Sequence, residues 1–492
     1  MTYQELSEKL NAYQLAITTM SFDAQTVAPI KGAPIRNKAL AFLMGEYFQL
    51  LTSEEAYKAL KEASTDENEI IRLSAQETLI DLDKIKNIPV EEYVAFQQLK
   101  QDAQQTWEEA KNTQDYSVFE PDLIKLIDTH KKITAYKNDG LSTYESSLDD
   151  FERGLRQTHV DSFFSALEKD LVPFIDTVLA HQSDKPALLG AYVSHADQEK
   201  ISELVMNHLG YTKDFGHLGH AEHPFSSTFS INDTRITTHF HENQFTSNIF
   251  SIIHEIGHSM YNHQVNPAFE GHALANNMSY SMHESQSRLL ENMIGRSEAF
   301  WTPLYPQMQA IIPDVLGDVS LQDFIKAINY VERDFIRIEA DEITYPLHIM
   351  VRYAVEKKLF SDNIETTNLN KVYAAAMKDY LGLEVQNDSQ GILQDVHWSD
   401  ASFGYFPTYA LGTAYAAQFM HQMKKDIDVD ALLIAGDLKT IFAWLKENIH
   451  QYSGQYETQD MIQRVSGETF NPNYYIDYIK TKYSNLLSIQ LD

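Results

Sequence analysis

Long stretches of this chain place apolar side chains three and four residues apart, the period of a helix with one buried face. VDSFFSALEKDLVPFIDTVLAHQ near residue 160 and LNKVYAAAMKDYLG near residue 370 both show it. Helix breakers are scarce, with 19 Gly and 14 Pro among 492 residues, as long helices joined by short turns require. A mainly α fold follows. One short region departs from the pattern: residues 227–240, STFSINDTRITTHF, alternate in character and are rich in Thr, Ile and Phe. With Asn232-Asp233 as the turn, they read as a β-hairpin.

Composition narrows the function. Hydrophobic residues make up 43% and aromatics 11%, enough for a large core and too many for a disordered chain. There is no cysteine, so disulfides and thiolate metal sites are excluded, and a transition metal must be held by His, Asp or Glu. The formal charge is −31, from 39 Lys+Arg against 70 Asp+Glu. Such a surface repels phosphate backbones and argues against nucleic-acid binding. The N-terminal segment has no basic start and no signal-like apolar run. No stretch approaches the ~18 apolar residues of a membrane span. A cytoplasmic protein without membrane contact is expected.

The residues with most chemical content are His254-Glu255-Ile256-Gly257-His258. Positions i and i+4 share a helix face, so the two imidazoles can converge on one ion, and Glu255 can act as a general base on a water beside it. Ile249, Ile252, Ile253, Ile256 and Met260 form the stripe that would bury this helix. Chance supplies such a motif in roughly one chain of this composition in twenty, so a third ligand is needed to decide. Catalytic zinc commonly has three protein ligands and an open position. HESQSR opens a second helical stretch in which Glu284 follows His258 after 25 intervening residues. His283 competes with Glu284 there; about 100° separates them on a helix, so only one can face the ion. His239 and His241 share a strand face and are a weaker candidate for a second ion.

Beyond this motif the chain resembles the carboxypeptidase Taq (M32) metallocarboxypeptidases over nearly its whole length. SFDAQTVAPIKGAPIR resembles the family's early Trp-Asp-x-x-Thr segment, with Phe22 in place of Trp. His223-Pro224-Phe225, the Asp233-x-Arg235-x-Thr237 pattern, HESQSR, Ile336-Arg337-x-x-Ala340-Asp341 and Gly391-x-x-Gln394-Asp395-x-His397-Trp398 follow in order, with FGYFPTYALG after them. The chain departs from the family pattern at His239 and Phe240, at Ala401 where a Gly is common, and between the two metal helices. These changes leave the chemistry intact.

The resemblance implies one large helical metallopeptidase domain over 1–492, with an N-terminal helical part to about 200 and a catalytic part from about 201. It also implies a deep groove, a small β-structure beside the active site, and a homodimer. One Zn2+ per subunit, with Co2+ as a substitute, would sit on His254, His258 and Glu284, with Glu255 as base. The substrates implied are peptides with a free C-terminus, whose carboxylate an arginine would capture, Arg235 or Arg337, with Arg352 as a weaker alternative and His223 nearby. An oxyanion donor is expected among Tyr409, Tyr405 and His397, with Asp395 as an orienting partner. Alternatives are a related oligoendopeptidase, which would lack the carboxylate clamp, and a non-catalytic scaffold, against which the intact Glu255 argues.

Overall fold

The computed structural model describes residues 1–221, 223–360 and 368–490. It is mainly helical with one small sheet. The elements that matter below are α1 (Tyr3–Thr26), α2 (Ala33–Leu51), α3 (Thr143–Phe151), β1 (Gly216–His220), β2 (Ser226–Ser230), β3 (Asp233–Thr238), α4 (Phe245–His263), α5 (Tyr280–Arg288), α6 (Tyr345–Phe360) and α7 (Pro407–Asp426). No helix among the described residues is long and apolar enough to cross a membrane. Packing gathers the chain into two compact units, each drawn from three segments. The first contains residues 1–82, 184–328 and 415–470; the second contains 83–183, 329–414 and 471–492.

In the first unit the sheet order is β1-β3-β2. β2 and β3 form the antiparallel hairpin expected from the alternation, turning at Ile231-Asn232. β1 lies parallel to β3 on the other side. Its sequence, Gly-His-Leu-Gly-His, has no β-branched residue and no alternation of apolar and polar, so no local signal marks it as a strand. The two sheet faces are distinct. Thr234 shares a hydrogen bond with Ser259 of α4, the Thr238 hydroxyl donates to Asn248 Oδ1 at 2.8 Å, and Ile236 between them is buried. This face therefore lies on α4. The opposite face carries Phe229 and Arg235 against Phe22 of α1, with the two phenyl rings 5.8 Å apart. Phe22 thus packs as an aromatic platform beneath Phe229 and Arg235.

α4 buries the stripe read from its sequence: Ile249, Ile252, Ile253, Ile256 and Met260 are all in the core. Each such side chain contributes about 1.5–3 kcal/mol on burial. On another face Gly257 allows a close approach. A Cβ added there would stand 2.5 Å from the Ser287 Cα and 2.7 Å from the Gln286 carbonyl. The backbones of α4 and α5 touch at this glycine, and the contact sets Glu284 beside the two histidines of α4.

In the second unit, the buried Glu356 of α6 ties three segments together. Its carboxyl accepts from Trp398 Nε1 at 2.8 Å, Tyr144 Oη of α3 at 2.9 Å and the Gly404 amide at 3.1 Å. Burial pushes this carboxyl up to about 7 despite these donors. Gly404 has φ +88° and approaches the Ser147 backbone so closely that a Cβ would lie 2.7 Å from its carbonyl carbon. This clamp fixes the segment that carries His397 and Tyr405 and leads into α7, where Tyr409 sits.

Candidate metal centre and active site

The two imidazoles of α4 and the carboxylate of α5 converge. One ligand atom each from His254, His258 and Glu284 lie within 4.8 Å of one another. Glu284 Oε2 stands 3.8 Å from His254 Nε2 and 3.6 Å from His258 Nε2. The competition between His283 and Glu284 resolves on geometry: Glu284 faces both Nε2 atoms, whereas His283 turns to the far side of His258.

Each imidazole is gripped by its other nitrogen. His254 Nδ1 lies 2.9 Å from Glu291 Oε2, and His258 Nδ1 lies 2.6 Å from His283 Nδ1. His283 Nε2 in turn stands 3.1 Å from the Asn262 amide. Burial, with His258 next, holds His283 well below the usual histidine range, so it is neutral. When Nδ1–H of His254 donates to Glu291, its Nε2 keeps its lone pair for an ion, the arrangement that orients histidine ligands generally, and His258, held at Nδ1 by His283, likewise turns Nε2 toward Glu284.

Arg288 organises the carboxylates. Its Nε donates to Glu284 Oε1 at 2.7 Å and its Nη1 to Glu291 Oε2 at 3.2 Å, while Arg296 Nη2 reaches Glu291 Oε1 at 3.2 Å. Burial alone would raise both carboxyls. Arg288 and the imidazoles outweigh it, holding Glu284 well below the usual range and Glu291 at about 2. Both are therefore anions, and Glu284 keeps Oε2 turned to the histidines. Glu284, Arg288 and Glu291 stand at i, i+4 and i+7 on one face, and the chain widens into a π-helix over Leu289–Ile294 where Glu291 sits. Such widenings recur at functional sites.

Glu255 is buried beside the triad. Burial raises its carboxyl, and the two imidazoles only partly offset this. The donor set of two imidazoles and one carboxylate, with a base alongside, has the composition of a three-ligand catalytic zinc site.

The second unit holds the other expected residues. Arg337 is buried; its Nε and Nη2 donate to Asp395 Oδ1 at 2.9 and 2.7 Å, and its Nη1 donates to Tyr345 Oη at 2.7 Å. Arg352, with 1% of its side chain exposed, donates to Asp395 Oδ2, to the His348 carbonyl and to Gln394 Oε1. It is sealed within the structure as the second support of Asp395. Burial opposes the Asp395 charge, but the two arginines hold this carboxyl well below the usual range. Tyr409 Oη lies 3.1 Å from His397 Nε2, its ring is 5.1 Å from that of Tyr405, and the Arg337 guanidinium lies 5.1 Å from its centroid. Burial pushes His397 down to about 4, so it is neutral near pH 7.

Arg235 is placed differently. It forms a bidentate pair with Asp233, at 2.8 and 2.7 Å, and stacks 3.9 Å from the Phe229 ring, on the sheet face turned away from α4. His223 is exposed between β1 and β2. The His239 and His241 rings are 4.2 Å apart, and His239 Nε2 meets Ser247. No third ligand joins them among the described residues. Glu291, Arg288 and the orienting role of His283 escaped the sequence reading. The acid–base–acid spacing in HESQSRLLE was the available signal for the first two.

Comparisons with known proteins identify the family. The family model described as Carboxypeptidase Taq (M32) metallopeptidase matches residues 2–483. Carboxypeptidase 1 of Bacillus subtilis is 37% identical, over 98% of this chain and 97% of its own length. The solved Pyrococcus furiosus carboxypeptidase superposes with a TM-score of 0.94 at 31% identity, covering 98% of each chain. The M32 carboxypeptidase of Deinococcus radiodurans gives 0.95 at 28% identity, covering 99% of this chain and 98% of its own. A family match of this extent, with full-length relatives on the same fold, establishes that the chain belongs to the carboxypeptidase Taq (M32) family of metallopeptidases.

Proposed function

We propose that this metallopeptidase is a zinc-dependent carboxypeptidase that removes single residues from the free C-terminus of peptides. The observation that carries the reading is the convergence of His254, His258 and Glu284 with the buried carboxyl of Glu255 beside them. The ligand set suits Zn2+, one per subunit, with Co2+ able to replace it. When bound, the ion polarises the scissile carbonyl and acidifies the attacking water. Glu255 takes the proton from that water and returns it to the leaving amine, and its raised pKa suits both transfers. His397, neutral near pH 7, shares a hydrogen bond through Nε2 with Tyr409 Oη and fixes that hydroxyl, to which stabilisation of the oxyanion is assigned, with Tyr405 packed beside it.

The terminal carboxylate is assigned to Arg337. A guanidinium has five N–H donors. Asp395 takes two and Tyr345 one, which leaves one on each Nη in the fork that fits a carboxylate. Arg352 and Asp395 hold that fork in place. Arg235, already paired bidentately, serves the sheet. The enzyme is assigned to the cytoplasm, which a chain without cysteine tolerates, and to a homodimer. Apolar side chains exposed at and near α2 support the latter, with Ile30 at 88%, Ile35 at 83% and Phe42 at 65% exposure.

The test compares one peptide as free acid and as C-terminal amide, in the wild type and in Arg337→Ala. The free acid should react faster by about ten- to a hundredfold, as charged hydrogen bonds of 1.5–3 kcal/mol imply, and the preference should vanish in the variant. Equal rates on both peptides in the wild type would favour an oligoendopeptidase instead.

A further inference from the structure

Two residues one turn apart on α6 take hold of the same stretch of chain. Arg352 and Glu356 stand at i and i+4, on one face of the helix. Arg352 holds the near end through Gln394 Oε1 and Asp395 Oδ2, and Asp395 in turn grips Arg337. Glu356, fully buried, holds the far end twice. Its Oε1 accepts from Trp398 Nε1 at 2.8 Å and its Oε2 from the Gly404 amide at 3.1 Å. These two bonds pinch residues 398–404 into a loop closed on one carboxyl. Immediately outside the pinch stand His397 and Tyr405, with rings 5.3 Å apart. Both meet Tyr409, His397 through the shared hydrogen bond at 3.1 Å and Tyr405 through ring contact at 5.1 Å.

A carboxylate is the group this pinch requires. The indole N–H and the backbone amide are donors only, and each faces a different oxygen of Glu356. A glutamine has one acceptor oxygen, so its NH2 would be set against one of these N–H groups. Tyr144, whose hydroxyl donates to Oε2, belongs to α3 and not to the loop.

We propose that Glu356 is a positioning residue for peptide hydrolysis, which pinches residues 398–404 and so sets His397 and Tyr405 around the Tyr409 hydroxyl. Arg352, on the same helix face, sets Arg337 through Asp395 as a separate task. The inference rests on the reading of Tyr409 as the oxyanion donor. Loss of the Glu356 grip should therefore act on turnover and spare recognition of the terminal carboxylate.

The test measures kcat and KM on a free-acid peptide and its C-terminal amide, with the metal-loaded wild type, Glu356→Gln, Tyr409→Phe and the double variant. Glu356→Gln should lower kcat by about ten- to a hundredfold, as slight misplacement of a reacting group does. KM for the free acid and the preference over the amide should stay near the wild type. In the double variant the two losses should not multiply, because Glu356 acts through Tyr409. Normal kcat in Glu356→Gln, a loss carried by KM or by the free-acid preference, or losses that multiply in full overturn this proposal alone. Normal kcat in Tyr409→Phe overturns the reading of Tyr409 and this proposal with it. A wild type without a free-acid preference overturns the clamp reading instead, and the double variant still decides here. If circular dichroism shows Glu356→Gln unfolded, Trp398→Phe and Tyr144→Phe decide. Each removes one donor from the same carboxylate, but only the first loosens the loop. Trp398→Phe should lower kcat by about three- to tenfold and Tyr144→Phe should not; equal effects overturn the proposal.

Discussion

His254 and His258 are each tied at Nδ1, by Glu291 and by His283, before any ion is considered. This leaves Nε2 as the metal-facing nitrogen of both and makes the site preorganised. The same environment separates two neighbouring carboxyls by role. Arg288 keeps Glu284 an anion, whereas burial without an arginine raises Glu255. Replacing Glu255 with Gln keeps shape and hydrogen-bonding capacity but removes the proton acceptor. The variant should retain its metal and its fold while kcat falls by about 10²–10⁴-fold; near-normal turnover at full metal content would defeat the general-base assignment. Another residue-scale consequence comes from Ala401, which holds φ +55°, a left-handed conformation that favours glycine. A left-handed Ala is strained by roughly 1–2 kcal/mol, and loss of its buried methyl offsets part of the relief. Ala401→Gly should therefore raise unfolding stability by up to about 1 kcal/mol in denaturant titration, and a lower midpoint would contradict this. The convergence of His254 and His258 was legible in the sequence because i, i+4 spacing is a statement about a helix face. Glu291 was not, since its part depends on which face of a second helix meets the first.

At the scale of elements, the crossing of α4 and α5 at Gly257 determines whether Glu284 reaches the histidines at all. A methyl group there meets backbone atoms of Gln286 and Ser287, which cannot rotate away. Gly257→Ala should force the helices apart, cost about 1–3 kcal/mol of stability as overpacking does, and weaken metal binding together with it. Metal titration and thermal melting of the same sample check this, and unchanged affinity would separate the crossing from the site. The sheet was half legible. Thr/Ile/Phe alternation marks β2 and β3, while β1 forms because it is held in place, with Tyr211 Oη donating to the Thr234 carbonyl at 2.7 Å and accepting from the His217 amide at 2.9 Å. That tertiary contact leaves no periodicity behind.

At the scale of the whole molecule, the helical class and the family follow from features spread over the full length, namely the three-and-four spacing of apolar residues and six ordered motifs. The division into two units was illegible, because each is assembled from three separated segments and no linker composition marks the joins. The motifs GILQDVHW and FGYFPTYALG make sense at this scale: they supply Asp395, His397, Gly404 and Tyr409, the parts that hold Arg337 and present a hydroxyl. The most direct test of a metal-dependent carboxypeptidase is a mass-spectrometric time course of a free-acid peptide with the metal-loaded protein. The products should form a ladder shortened one residue at a time from the C-terminus, which disappears when the metal is chelated and returns when zinc is restored. Internal fragments, shortening from the N-terminus, or a ladder that persists after chelation would contradict the account.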